Sequence, residues 1–244
     1  MSVFFHQYFD WTIINDNFTY VLKGFGETLE LSIVAGVLSL LWGLTLALLR
    51  QLPGRGLAPV RFATIGYIDA FRGIPLLLVI LLVSGSIPFL TFLPQDVRIP
   101  EWFGKPDPFW YGVLALTLTY GAYMAEVYRA GIEAVPPGQM EAARSLGMSH
   151  GKAMRHVIVP QAVRKVIPPL LNDYIALMKD TALVGVIAFN EVVENARSVQ
   201  AETFNSSAYT LAAVLFLLVT IPLARLVDRQ IAGQQEKYQR GLPT

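Results

Sequence analysis

The chain has 244 residues, 54% of them hydrophobic and 15% charged, with a mean hydropathy of +0.47. That balance excludes an ordinary soluble globular domain and marks an integral membrane protein. A net charge of +1 gives no case for nucleic acid as a partner, and a chain without cysteine has neither a disulfide framework nor a thiolate metal site.

The N-terminal stretch MSVFFHQYFDWTIIND has no basic n-region and no small-residue cleavage site, so it is expected to stay in the mature protein. A hydrocarbon core of about 30 Å takes roughly 20 helical residues. The first predicted span covers residues 24–49 and the second 62–87. The second is interrupted by FRGIP, Phe71 to Pro75, where proline removes a backbone donor and glycine loosens the turn, so a kink or break is expected. About 1.5 Å per residue from Phe62 places Arg72 roughly 15 Å deep, near the midplane. Residues 88–108, PFLTFLPQDVRIPEWFGKPDP, are too proline-rich for a regular element and read as an ordered outer cap.

The third span covers 108–130 and the fourth 163–189. The fourth carries Asn172, Asp173, Lys179 and Asp180, and polar groups inside a span mark function more often than packing. Pro168 and Pro169 are expected to bend its inner half. A polar outer loop over 191–207 leads to the fifth span, 207–227.

Five spans with the N-terminus extracytoplasmic and the C-terminus cytoplasmic satisfy the excess of Lys and Arg on the inner side. Arg50, Arg55 and Arg61 fall in the first inner loop; Arg129, Arg144, Lys152, Arg155, Arg164 and Lys165 in the second or at the inner span ends that border it; Arg225, Arg229, Lys237 and Arg240 in the tail or at the inner end of the last span. Lys23, Arg98, Lys105 and Arg197 remain outside. No linker or repeat divides the chain, which reads as one all-α transmembrane domain over 1–244.

The inner loop over 136–160 is amphipathic rather than apolar. Glu141, Ala142 and Ala143 open a short helix after Pro136-Pro137-Gly138, and Gly147 ends it in a left-handed turn. Ser149 is the expected cap of a second helix, in which Ala153, Met154, Val157 and Ile158 form an apolar stripe before Pro160 stops it. Such a knob is either a docking surface or an element lying on anionic lipid.

Glu141-Ala142-Ala143, three residues, Gly147, nine residues, then Val157-Ile158-Val159-Pro160 resembles the EAA loop, EAA-x3-G-x9-I-x-L-P, of bacterial ABC importer permeases. Valine replaces the preferred isoleucine and leucine. ETLELS, FRGIPLLLVI, YMAEVYRAGIEAVPPGQMEAARSLG and KDTALVGVI are similar to the polar amino acid subfamily, from about Phe18 to Ile231. The resemblance implies a multi-pass permease of the prokaryotic inner membrane with a type I importer fold, its coupling helix between the third and fourth spans. It implies Glu141, Ala142, Ala143 and Gly147 as the residues coupled to cytoplasmic ABC ATPase subunits. It also implies an extracytoplasmic substrate-binding protein, a second permease copy or homologue, surrounding lipid and a polar amino acid substrate.

The chain has no G-x4-G-K-[ST], so ATP and Mg are expected on the partner ATPase, with no cofactor, metal or catalytic residue here. Along the substrate path Arg72, Asn172, Asp173, Lys179 and Asp180 are the candidates. Asp173 and Asp180, seven apart, share a helix face about 10 Å apart. The zwitterion's charges suit Asp173 and Arg72; alternatively the charges hold the bundle together, Arg72 with Asp69, Asp173 or Glu126. Glu126 sits near the inner face, where a pair with Arg129 is expected. An intramembrane enzyme is disfavoured because His6, His150 and His156 all lie outside the spans and HExxH is missing. A secondary transporter driven by an ion gradient remains the rival, though nothing explains its need for the inner knob.

Overall fold

The computed structural model describes the backbone of residues 2–239 and the side chains of residues 3–233. Arg240 of the expected inner tail lies outside the described residues, as does the side chain of Lys237. All regular structure among the described residues is helical. The order is α1 (Ser2–Phe9), α2 (Trp11–Arg50), α3 (Ala58–Gly73), α4 (Leu76–Ser86), α5 (Gln95–Arg98), α6 (Asp107–Glu133), α7 (Pro137–Ser145), α8 (His150–Ala153), α9 (Val159–Asp180), α10 (Val192–Thr203) and α11 (Ser207–Gln239).

Helix α2 starts at Trp11, well before the expected boundary at residue 24. Asp10 caps it, its carboxylate accepting from the Thr12 amide at 2.9 Å, and no proline follows before Arg50. Its 40 residues make a rod of about 60 Å, twice the hydrocarbon thickness. The expected break in the second span is real: α3 ends at Gly73, α4 begins after Pro75, and the two are bent by 109°.

By length and composition two stretches among the described residues are apolar enough to cross a membrane, 3–50 and 207–233; the bent α3–α4 pair makes a third. Helices α6 and α9, expected as the third and fourth spans, are not among them. Helix α6 buries its small and polar residues Gly112, Thr119 and Gly121 against other helices, whereas α9 carries Arg164, Asn172 and Lys179 exposed.

The central core joins Leu31 and Ala35 of α2, Val79 and Ile80 of α4, Leu116 and Tyr120 of α6, and Leu177 of α9. A second core lies around α10, where Val192, Ala196 and Val199 pack between Val21 and Phe25 of α2 and Leu211 and Leu215 of α11. Outside both cores, Ile33, Val37, Leu41, Leu44 and Leu48 stand exposed along one stripe of α2 at three- and four-residue spacing. An apolar stripe turned outward is what a bilayer or a neighbouring helix requires.

The outer loop over 88–108, where the sequence predicts no regular element, holds the four-residue helix α5 among turns, and Lys105 ties it to α2 through Glu27 and Glu30, each at 2.7 Å. The loop over 191–207 is instead a helix. Glu191, fully buried, caps α10 by accepting from the Glu194 amide at 2.7 Å and the Val193 amide at 2.8 Å. Val192 N donates to Thr28 Oγ1 of α2, so the cap is fixed to the first long helix. Burial pushes the Glu191 carboxyl up to about 7, against the pull of its backbone donors.

The unfolded carboxyl loses its proton near 4.5 while the folded one keeps it to about 7. Its contribution is therefore complete below pH 4.5 and is lost as pH rises to about 7, by roughly 3 kcal/mol. Melting of the detergent-purified protein at pH 5 and pH 8 should show Glu191→Gln losing this part of the decline. Parallel profiles for both proteins would exclude it.

Candidate functional site

The inner knob begins where α6 ends. Pro137 fills the first turn of α7, where its missing N–H costs no hydrogen bond. Met140 packs against Val135, Ile158 and Ala162, and Ala143 is buried, so one face of α7 is held down on the start of α9. Glu141 and Ala142 stand exposed on the other face, beside Leu146 at 82% exposure.

Gly147 closes the helix with φ +80°. Its amide bonds the Arg144 carbonyl at 3.0 Å and the Met148 amide bonds the Ala143 carbonyl at 3.2 Å, the paired bonds of a Schellman turn. Ser149 then caps α8, accepting from the Lys152 amide. Pro160 does not stop the next helix as the sequence suggests. A wide π turn over Met154–Ile158 runs straight into α9, and Pro160 falls in that helix's first turn, where a proline is harmless.

Deeper in the bundle, the α3–α4 break opens a cavity of about 430 Å³. Arg72, Gly73, Ile74 and Pro75 contribute from the break, Thr119, Tyr120 and Tyr123 from α6, and Asp173, Ala176 and Asp180 from α9. The Arg72 guanidinium lies 5.7 Å from the Tyr123 ring centroid, a cation–π contact, and the Tyr123 hydroxyl donates to the Arg72 carbonyl at 3.3 Å. Tyr120 donates to Asp180 Oδ2 at 2.7 Å. Asp173 Oδ2 and Thr119 Oγ1 are buried without a hydrogen-bond partner among the described residues.

Of the residues singled out for the path, the structure brings Arg72, Asp173 and Asp180 to one cavity and leaves Asn172 and Lys179 exposed, away from its lining. Among the described residues no ion pair joins Arg72 to Asp69, Asp173 or Glu126. Glu126 pairs with Arg129 at 2.7 Å, as expected, and also with Arg50 at the end of α2, knitting the inner ends of α2 and α6. Thr119, Tyr120 and Tyr123 escaped the sequence reading. Their only signal is three polar groups within five positions of α6, between its apolar outer half and the charged inner end.

Residues 39–233 match the family described as the binding-protein-dependent transport system inner membrane component. The chain belongs to that family. This permease is 35% identical over 214 residues to the probable glutamine ABC transporter permease of Bacillus subtilis, covering 87% of this chain and 92% of that one. It is 31% identical to the arginine transport permease of the same organism, over 87% and 90% of the two chains. It is 34% identical to a glutamate/aspartate import permease of Escherichia coli, over 78% and 82%. Among solved structures it resembles an amino acid ABC transporter crystallised with histidines, at TM-score 0.77 and 34% identity over 88% of this chain and 94% of that one. The inward-facing MetNI methionine transporter shares the fold at TM-score 0.70 and 18% identity, over 88% and 96%. The permease thus has the type I ABC importer fold and its place is the inner membrane.

Proposed function

We propose that this chain is the transmembrane permease subunit of an ATP-driven importer of polar amino acids. Five spans carry it through the membrane, N-terminus outside and C-terminus inside, and it pairs with a second permease copy or a homologue. A binding protein delivers substrate from the outer side. Hydrolysis belongs to separate cytoplasmic ATPase subunits, which hold ATP and Mg, so this chain carries no catalytic residue.

One observation carries the coupling role: the inner knob holds Ala143 and Met140 down while offering Glu141, Ala142 and Leu146 outward, with Gly147 in the left-handed turn at its tip. A surface that merely lay on lipid would not need a turn shaped so closely around a glycine. Reconstituted with its ATPase and binding protein, the chain should take up amino acid only while ATP is hydrolysed. Uptake driven by an ion gradient with no nucleotide would overturn the proposal.

Asp173 is the path residue of first interest, because its Oδ2 is buried in the cavity wall with no partner. Asp173→Asn keeps the shape and removes the charge. Transport should fall about tenfold, the worth of one charge-assisted contact, with the ATPase still bound on affinity capture. Unchanged uptake kinetics would make Asp173 a packing residue.

A further inference from the structure

The charged side chains around the cavity are one guanidinium, Arg72, and two carboxylates, Asp173 and Asp180. A neutral zwitterion brings one charge of each sign, so it leaves one carboxylate unmatched. Asp180 has the Tyr120 hydroxyl, which is neutral, and Asp173 Oδ2 has no hydrogen-bond partner among the described residues. An unmatched carboxylate in a space emptied of water is costly.

Spacing suggests what matches both. Seven residues of helix put the two carboxylates about 10 Å apart. A cation at hydrogen-bond distance, about 3 Å, from each leaves about 4 Å or a little more between the cations. That is the range spanned by the α-ammonium and the side-chain cation of lysine, ornithine or arginine in folded-back to half-extended conformations. The remaining charge, the α-carboxylate, has its own place. The N-terminus of α4 opens at the cavity with no side-chain cap, Arg72 stands beside it, and Thr119 offers a buried hydroxyl with no partner.

We propose that the cavity takes a basic amino acid, with the α-ammonium at Asp173, the side-chain cation at Asp180 and the α-carboxylate between Arg72, Thr119 and the start of α4. This rests on the cavity's being part of the substrate path. A neutral amino acid leaves Asp180 unmatched, and an acidic one sets a carboxylate against it.

The test uses the permease–ATPase complex without its binding protein, so that selection is the cavity's own. The chain has no cysteine, so Ala176→Cys places a single thiol of this chain in the cavity wall. Its modification by a methanethiosulfonate reagent is followed on the permease band. Millimolar L-arginine or L-lysine should slow the reaction, and L-glutamine and L-glutamate should do so at least about tenfold less well. In the same background Asp180→Asn should erase the preference for arginine over glutamine, and Asp173→Asn should weaken protection by every amino acid. Equal protection by glutamine or glutamate, with Asp173→Asn still harmful, overturns the basic class and leaves the cavity standing. A thiol that never reacts, or that no amino acid protects, removes the cavity itself.

Discussion

Gly147→Val is expected to reduce ATP-driven uptake to background while the chain still inserts and its bundle stays folded. Gly147 has φ +80°, where an L side chain costs roughly 1–2 kcal/mol and a β-branched one more. A Cβ there meets no atom within 4 Å, so the cost is backbone strain and not a clash within the chain. The strain is confined to the turn that joins the exposed face of α7 to α8. The turn opens, Leu146 and Glu141 lose their fixed relation to the bundle, and a motor subunit pressing on them no longer moves α6 and α9. Gly147→Asn tests the cause, because asparagine tolerates the left-handed region and should retain a substantial part of transport. Uptake and substrate-stimulated ATPase activity in proteoliposomes measure both. Normal uptake by the valine variant would remove the docking role assigned to this knob.

What the sequence disclosed and what it hid follow one physical division. Local chemistry was legible: Pro75 and Gly73 announced the break, Gly147 the left-handed turn, and Ser149 the cap of α8. Each of these acts on the backbone within a few residues of itself. Features that depend on a distant partner were not. Asp10 begins a helix far earlier than hydropathy suggests, and what fixes it there is distant: its amide donates to the Ser207 hydroxyl of α11 at 2.8 Å. The polar composition of α10 reads as a loop. The helix folds because Glu191 holds its first amides and its apolar side finds α2 and α11. Pro160 reads as a stop because, in sequence, a proline within a helix and one in its first turn look the same. In the cavity, Arg72 and the two aspartates were identifiable as charges at depth. Their grouping without Lys179 and Asn172 required the rotation of α9, and Thr119, Tyr120 and Tyr123 required its partner α6.

Gly43→Val carries the largest expected loss of stability. A Cβ at Gly43 would stand 2.8 Å from Met124 Cβ, 2.9 Å from the Gly121 carbonyl oxygen and 3.1 Å from the Ala125 amide. Two of these three neighbours are backbone, and Met124 is fully buried, so no side-chain rotation relieves the overlap. Helices α2 and α6 would have to separate, as happens wherever a small residue sets the distance between packed membrane helices. Separation is opposed from the other side of the crossing. A Cβ on Gly121 would lie 2.5 Å from Trp42 Cδ1, so Trp42 already fills that notch, and its indole N–H donates to Tyr67, whose hydroxyl donates to the Leu118 carbonyl. Moving α2 outward breaks that chain and tears α3 from α6 as well. Overpacking alone costs about 1–3 kcal/mol, and the lost hydrogen bonds add to it. Fluorescence-detected size exclusion of the tagged chain should show Gly43→Val as aggregate, with no main peak. Gly26→Val, on the same helix with no atom within 4 Å of its Cβ, should elute as the parent does. A monodisperse Gly43→Val peak with an unchanged melting point would mean that the two helices do not meet at this crossing.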